Sequence, residues 1–297
     1  MMSLSTLYRK YTPIQVRSWI SELREAGGRR QAWKAVQRGE YESTYPAECA
    51  YMRNRGEIST FPYAWSERYQ CSQIETAYDE KEALPYAWVY VDGKKRKLFF
   101  PEKWGAAFIR KYLNTILQEQ DEQSPHFYFH ASEVDGCLLC DIGAAEGYIS
   151  LSVIDYVKEA VLFECDPIWK RPLEATFRDY GDKVRIINQY VSDGTSENTT
   201  SLDTFLSEKE TEKVPIVIKA DVEGSELRVL QGAKEVLMHP DTKVFICAYH
   251  HEKDQEELTG FLEKQGFQVS TSDSRLFYRF PGDAGYSFRA GVLRAQK

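Results

Sequence analysis

The run Cys137-Leu138-Leu139-Cys140-Asp141-Ile142-Gly143-Ala144-Ala145-Glu146-Gly147 decides how this chain folds. Its first half is an apolar strand, its second a turn of small residues, and an apolar helix follows from Gly147. Open α/β sheets bind their ligands where a strand hands over to a helix in this way. Gly143, Ala144 and Gly147 let the backbone approach a ligand closely. The helix that begins near Gly147 presents unpaired N–H groups and a partial positive charge, which favour an anionic group. Asp141 adds an acceptor for an ammonium, and Glu146 stands between the small residues. About twenty residues further on, the next strand ends in Glu164, where an acidic side chain can take both hydroxyls of a ribose.

Outward from this turn the pattern is of apolar strands alternating with amphipathic helices, the signature of a parallel sheet covered on both faces. The strands are expected at 137–141, 160–164, 184–188, 216–221 and 244–249, with a closing pair near 267–270 and 289–293. The helix from Asp254 to Gln265 shows the pattern: Leu258, Phe261 and Leu262 fall on one face and Gly266 stops it. The fold class is therefore α/β and Rossmann-like, a mostly parallel twisted sheet with helices on both faces. It is preceded by a helical and hairpin N-terminal region, with residues 1–124 as an accessory region and 125–297 as the α/β domain.

In the accessory region Thr12-Pro13 reads as a helix start. Val16, Trp19, Ile20 and Leu23 share one face before Gly27-Gly28, and a second, shorter helix follows over 31–38. An irregular stretch rich in Tyr, Trp and Phe leads to a hairpin, Tyr86 to Val91 and Leu98 to Phe100, turning at Asp92-Gly93. Lys94-Lys95-Arg96-Lys97 is expected at its solvated tip. Pro101 opens a helix with Trp104, Phe108, Ile109, Leu113 and Ile116.

The chain carries 38 Lys and Arg against 45 Asp and Glu, a net charge of −7, which argues against a nucleic-acid partner. The 6 cysteines are scattered, several of them in apolar runs, which suits a reducing compartment. Cys137 and Cys140 have CxxC spacing inside a hydrophobic strand, with no second pair to hold zinc. No stretch approaches a membrane span and Met1 to Lys10 contains no apolar leader, so a cytoplasmic location is expected.

A dinucleotide site expects G-x-G-x-x-G, whereas this loop runs Gly143-Ala144-Ala145-Glu146-Gly147 and places Asp141 where a pyrophosphate would be repelled. A nicotinamide-dependent oxidoreductase is disfavoured on that ground. An amino acid-nucleoside such as S-adenosylmethionine fits better, its ammonium suiting Asp141 and its ribose Glu164. The segment from about 137 to 278 resembles the FkbM family of S-adenosylmethionine-dependent methyltransferases. The resemblance rests on the 141–147 loop, Phe163-Glu164-Cys165-Asp166-Pro167, Val191-Ser192-Asp193 and Ser201-Leu202-Asp203-Thr204-Phe205. Its most specific block is Ile218-Lys219-Ala220-Asp221-Val222-Glu223-Gly224 with Glu226-Leu227 and Leu230 to Gly232. Family members commonly carry Asn where this chain has Ala145. The resemblance implies a class I methyltransferase fold, S-adenosylmethionine as cofactor, and O-methylation of a hydroxyl on a sugar, glycan or secondary metabolite. It adds Ser192, Asp193 and Asp221 to the cofactor-binding set.

For the chemistry, strand alternation puts Lys219 and Asp221 on one face with Glu223 at the following helix entrance, and His250 and His251 end the next strand. An alcohol must lose a proton, and a histidine is matched to neutral pH, so His250 ranks first as base and Asp221 second. A divalent cation held by Asp221, Glu223 and His250 is the less favoured alternative. His126, His130 and His239 are assigned to structure or surface. The aromatic N-terminal region is available to stack on sugar rings or to mediate homo-oligomerisation. A catalytically silent domain that binds partners through that region is the rival from outside the enzymes.

Overall fold

The computed structural model describes residues 14–207, 214–280 and 283–297, with side chains from residue 26 onward. Two compact units emerge, one of residues 1–64 with 277–288 and one of 65–276 with 289–297. They divide at 64/65 rather than at the expected 124/125, because the hairpin and the helix after it pack into the same core as the sheet.

The first unit contains helices α1 (Ile14–Gln37) and α2 (Pro46–Arg55). The two helices expected before and after Gly27-Gly28 are one. Glycine in a helix interior costs about 1 kcal/mol against alanine. A Cβ at Gly28 would come 3.0 Å from the Arg279 guanidinium, and past the glycines Ala32 and Val36 pack on Cys49, Met52 and Phe277. Burial of those side chains offsets the weak propensity. The start at Thr12-Pro13, and the side chains of Val16, Trp19, Ile20 and Leu23, lie outside the described residues.

In the second unit β1 (Thr76–Asp79), β2 (Leu84–Val91) and β3 (Lys94–Phe99) form an antiparallel sheet. The basic tetrad is not a tip but the start of β3. Lys94 and Arg96 both reach Asp155 at 2.6 Å, Lys95 reaches Glu75 at 2.7 Å and Lys97 reaches Asp79 at 2.6 Å. Helix α3 (Ala106–Glu119) starts five residues after Pro101, buries Ile109 and Leu113, and leaves Phe108 exposed.

Seven strands make the central sheet: β4 (Leu138–Ile142), β5 (Glu159–Phe163), β6 (Val184–Ile187), β9 (Ile216–Ala220), β10 (Thr242–Cys247), β11 (Gln268–Thr271) and β14 (Val292–Gln296). Short pairs fill the gaps, β7 (Tyr190–Val191) with β8 (Thr199–Thr200) and β12 (Leu276–Tyr278) with β13 (Ser287–Arg289). The order is β11-β14-β10-β9-β4-β5-β6, with β14 antiparallel to both neighbours and the pairings from β10 through to β6 parallel. This is the expected α/β arrangement, a mostly parallel sheet with helices on both faces. The last strand begins three residues later than expected, since Gly291 passes within 2.0 Å of the Pro125 carbonyl measured from a Cβ built on it.

Period-two alternation divides the core. Leu139, Leu162, Val217 and Phe245 face the side covered by α3, α4 (Tyr148–Val153) and α5 (Lys170–Thr176). Leu138, Cys140, Ile142, Ile218 and Ile246 face the other, covered by α6 (Leu202–Leu206), α7 (Glu226–Gln231), α8 (Lys234–Met238) and α9 (Asp254–Lys264). Lys219 and Asp221 share the face of Val217. Among the described residues no helix is long and apolar enough to cross a membrane.

Candidate active site

The loop after β4 is shaped by close backbone approach. Gly143 has φ 76°, and a Cβ there would lie 1.8 Å from the Asp221 carbonyl oxygen. Its N–H donates to Phe163 O at 2.9 Å, so the loop is stitched to β5 while Asp221 N donates back to Ile142 O at 2.9 Å. Gly147, at φ 84°, packs so tightly that a Cβ would meet the Phe177 ring at 2.7 Å. Both glycines are required by space as well as by torsion.

Asp141 does not face a ligand. It is fully buried, its Oδ2 accepts from Ser150 Oγ at 2.7 Å, and its Oδ1 lies 2.9 Å from Lys219 Nζ, which also donates to Gly143 O at 2.7 Å. Register explains the pair, for Asp141 and Lys219 are directly opposed on β4 and β9. Burial works against the Lys219 charge, but Asp141 and Asp221 hold the ammonium protonated. Both residues therefore fix the loop from beneath.

Above the loop is a cavity of about 360 Å³, lined by Gly143, Glu164, Ser192, Asp221, Glu223 and Arg228 among others, with Phe163, Val191 and Val222 as apolar wall. Its size and mixed lining are those of a small-molecule site. Two roomier surface grooves of about 430 Å³, over Trp88 with Tyr180 and over Leu227 with Phe261, hold no residue of the loop. Glu164 receives Ala145 N at 2.9 Å and Asp166 N at 2.7 Å, which fixes the carboxylate at the cavity rim. Asp193 stands behind Ser192, accepting from its hydroxyl at 2.9 Å and lying 3.5 Å from Arg228. Ala144 and Glu146 are buried away from the cavity. Tyr112 donates to Glu146 at 2.8 Å, and burial raises the pKa of that carboxyl. Helix α4 has 6 residues, so little helix dipole stands behind Gly147.

At the end of β9, Asp221 gathers groups from two other segments, around 126–128 and at His250. Tyr128 donates to its Oδ2 at 3.0 Å, His126 Nε2 lies 3.7 Å from the same oxygen, and His250 Nε2 lies 3.5 Å from Oδ1. His250 Nδ1 is 3.0 Å from Glu226 Oε1, and its Nε2 is 3.6 Å from Glu223 Oε2. Arg289 donates to the carbonyls of Tyr249 and His250 at 2.8 and 2.9 Å, clamping the strand end. His251 instead packs over Gly224. Burial opposes ionisation of Asp221, yet His126, Lys219, His250 and the Tyr128 hydroxyl together hold its pKa below the usual carboxylate value. Burial also opposes protonation of His250, but Glu226, Asp221 and Glu223 hold its pKa above the ordinary value.

His250 is 0% exposed, whereas Asp221 lines the cavity. His126, expected in structure or at the surface, is a buried neighbour of Asp221. It is buried beside Asp221, 3.6 Å from Cys247 Sγ and 3.2 Å from the Tyr249 hydroxyl, and burial lowers its pKa to about 4. Sequence reasoning missed Tyr128, Glu226 and Cys247. The alternation of His126 and Tyr128, and of Asp221 with Cys247 and Tyr249 on neighbouring strand ends, was the available signal.

No curated protein matches this sequence significantly. Among solved structures, a methyltransferase FkbM from Methylobacillus flagellatus is 19% identical with a TM-score of 0.43, the alignment covering 66% of this chain and 56% of that one. An rRNA methylase from Streptococcus thermophilus is 13% identical with a TM-score of 0.37, over 56% of this chain and 90% of that one. The C-terminal domain of a precorrin-6Y C5,15-methyltransferase from Rhodobacter capsulatus is 19% identical with a TM-score of 0.37, over 56% and 84%. Residues 141–269, which hold the loop, the cavity rim and His250, match the family model of the methyltransferase FkbM domain.

Proposed function

We propose that the protein transfers a methyl group from S-adenosylmethionine to a hydroxyl of a sugar, glycan or secondary metabolite in a cytoplasmic setting. The observation that carries the reading is a single cavity lined by Gly143, Glu164, Ser192 and Asp221. The residues fit the cofactor: Gly143, Glu164 and Ser192 line one cavity, and Glu164 offers acceptor oxygens to a ribose. When bound, S-adenosylmethionine supplies a methyl group on a sulfonium. Glu164 and Ser192 would hold the nucleoside, and the buried Asp141–Lys219 pair keeps the loop beneath it in place.

Asp221 takes the proton of the acceptor hydroxyl, while Tyr128 fixes the carboxylate by donating to Oδ2. A positioned base contributes about 100- to 10,000-fold. His250 acts behind Asp221 as a positioning residue. The free state of all 6 cysteines is compatible with a reducing compartment.

The test is calorimetric titration with S-adenosylmethionine and S-adenosylhomocysteine, followed by a screen of hydroxylated acceptors with labelled cofactor. Wild type is expected to bind both. Gly143→Ala drives a methyl against the Asp221 carbonyl and should abolish binding. Wild-type protein that ignores both ligands would overturn the proposal.

A further inference from the structure

We infer that Asp221 and His250, with Glu223 as a closing arm, form a binding site for one divalent metal ion beneath the Asp221 and Glu223 wall of the cavity. The inference deepens the methyl-transfer reading of the same site and supplies a group to hold an acceptor oxygen.

Four features of the site carry it. First, the imidazole is oriented as a ligand: His250 Nδ1 lies 3.0 Å from Glu226 Oε1, a carboxylate that also accepts Val222 N at 2.9 Å and is therefore fixed itself. A metal-bound histidine commonly hands its second nitrogen to a carboxylate in this way. Second, Nε2 is directed at Asp221 Oδ1, 3.5 Å away, and at Glu223 Oε2, 3.6 Å away. Charge-assisted hydrogen bonds run about 2.7–2.9 Å. Neighbouring ligand atoms around an ion with bonds of about 2.0–2.2 Å stand roughly 3–3.6 Å apart, the spacing seen here.

Third, the ligands are prearranged. Asp221 is held through its other oxygen by Tyr128, and the backbone of His250 is clamped by buried Arg289. Fourth, Glu223 is 78% exposed in its side chain, so it can close on an ion from the open side without disturbing the core. One imidazole and two carboxylates suit an ion of intermediate hardness such as manganese, with open positions for solvent or an acceptor oxygen.

The probe is Mn²⁺ alone, titrated into full-length protein stripped with a chelator, with free Mn²⁺ counted from its paramagnetic resonance signal. Wild type is expected to retain about one equivalent, the stoichiometry of a single first shell. Glu226→Gln should weaken binding by about 10- to 100-fold through loss of the orienting carboxylate. His250→Gln and Glu223→Gln should weaken it further. Glu223→Gln changes an exposed side chain, so its folding is not at stake, and thermal melts check the other variants. Failure of wild type to retain Mn²⁺, or equal retention by Glu223→Gln, overturns the inference. S-adenosylhomocysteine titrated into the same samples reads the methyl-transfer proposal separately, since ligand binding without Mn²⁺ retention sinks only the metal site.

Discussion

Ala145 is the residue at which the cofactor loop is under most local strain. It sits at φ 45°, in the left-handed region, and its N–H is committed to Glu164. An L residue other than Gly or Asn occupies that region at a cost of roughly 1–2 kcal/mol. Ala145→Gly removes the cost and one methyl of packing, so it is expected to stabilise the protein by roughly 0.5–1 kcal/mol. Ala145→Val should do the reverse, because a β-branched side chain is a true outlier there. Denaturant melts of the three proteins check both; a glycine variant less stable than the parent would refute the strain argument. The loop's glycines were legible from sequence, since their spacing at a strand end has few other uses. The Asp141–Lys219 pair was not, because a one-dimensional pattern cannot say which face of β4 holds a cation, and Lys219 lies directly across from Asp141 on β9.

At the scale of elements, β4 and β9 are joined by that ion pair as well as by their ladder. Lys219 bonds both Asp141 and the Gly143 carbonyl, so the β4–β9 register sets the position of the loop. Lys219→Met leaves Asp141 with Ser150 and no cation in a buried setting. The expected cost is about 3–5 kcal/mol, most of it recovered when Asp141→Leu is added, because an apolar pair of similar volume avoids the uncompensated charge. Denaturant midpoints of the single and double variants give the coupling; additive losses would show that the pair is not a unit. The parallel strands were legible to within two residues at most ends because they are buried on both faces and read as continuous apolar runs. The basic start of β3 was not. Its side chains pair with Asp155, Glu75 and Asp79, acids that are distant in sequence, so the tetrad looked like a solvated turn.

Across the whole molecule, the order of the chain does not follow the order of its compact units. Residues 277–288 leave the second unit, enter the first, and return to provide β14 of the central sheet. In the first unit Phe277 is fully buried among Val36, Cys49 and Met52, and Tyr45 stacks on Phe288 at 4.0 Å. A chain beginning at Trp65 keeps every residue of the cofactor cavity, yet bares the aromatic side chains of 277–288 that residues 26–64 cover. Exposed apolar groups of this size drive association. The shortened chain is therefore expected to bind S-adenosylhomocysteine as the full chain does, and to self-associate on size-exclusion chromatography. Replacing Phe277, Tyr286 and Phe288 by Ser in the shortened chain should restore a single smaller species with binding intact. Loss of ligand binding in a shortened chain that remains folded would instead mean that the first unit contributes to the cofactor site. A monodisperse shortened chain without the serine changes would mean that the 277–288 segment finds other cover.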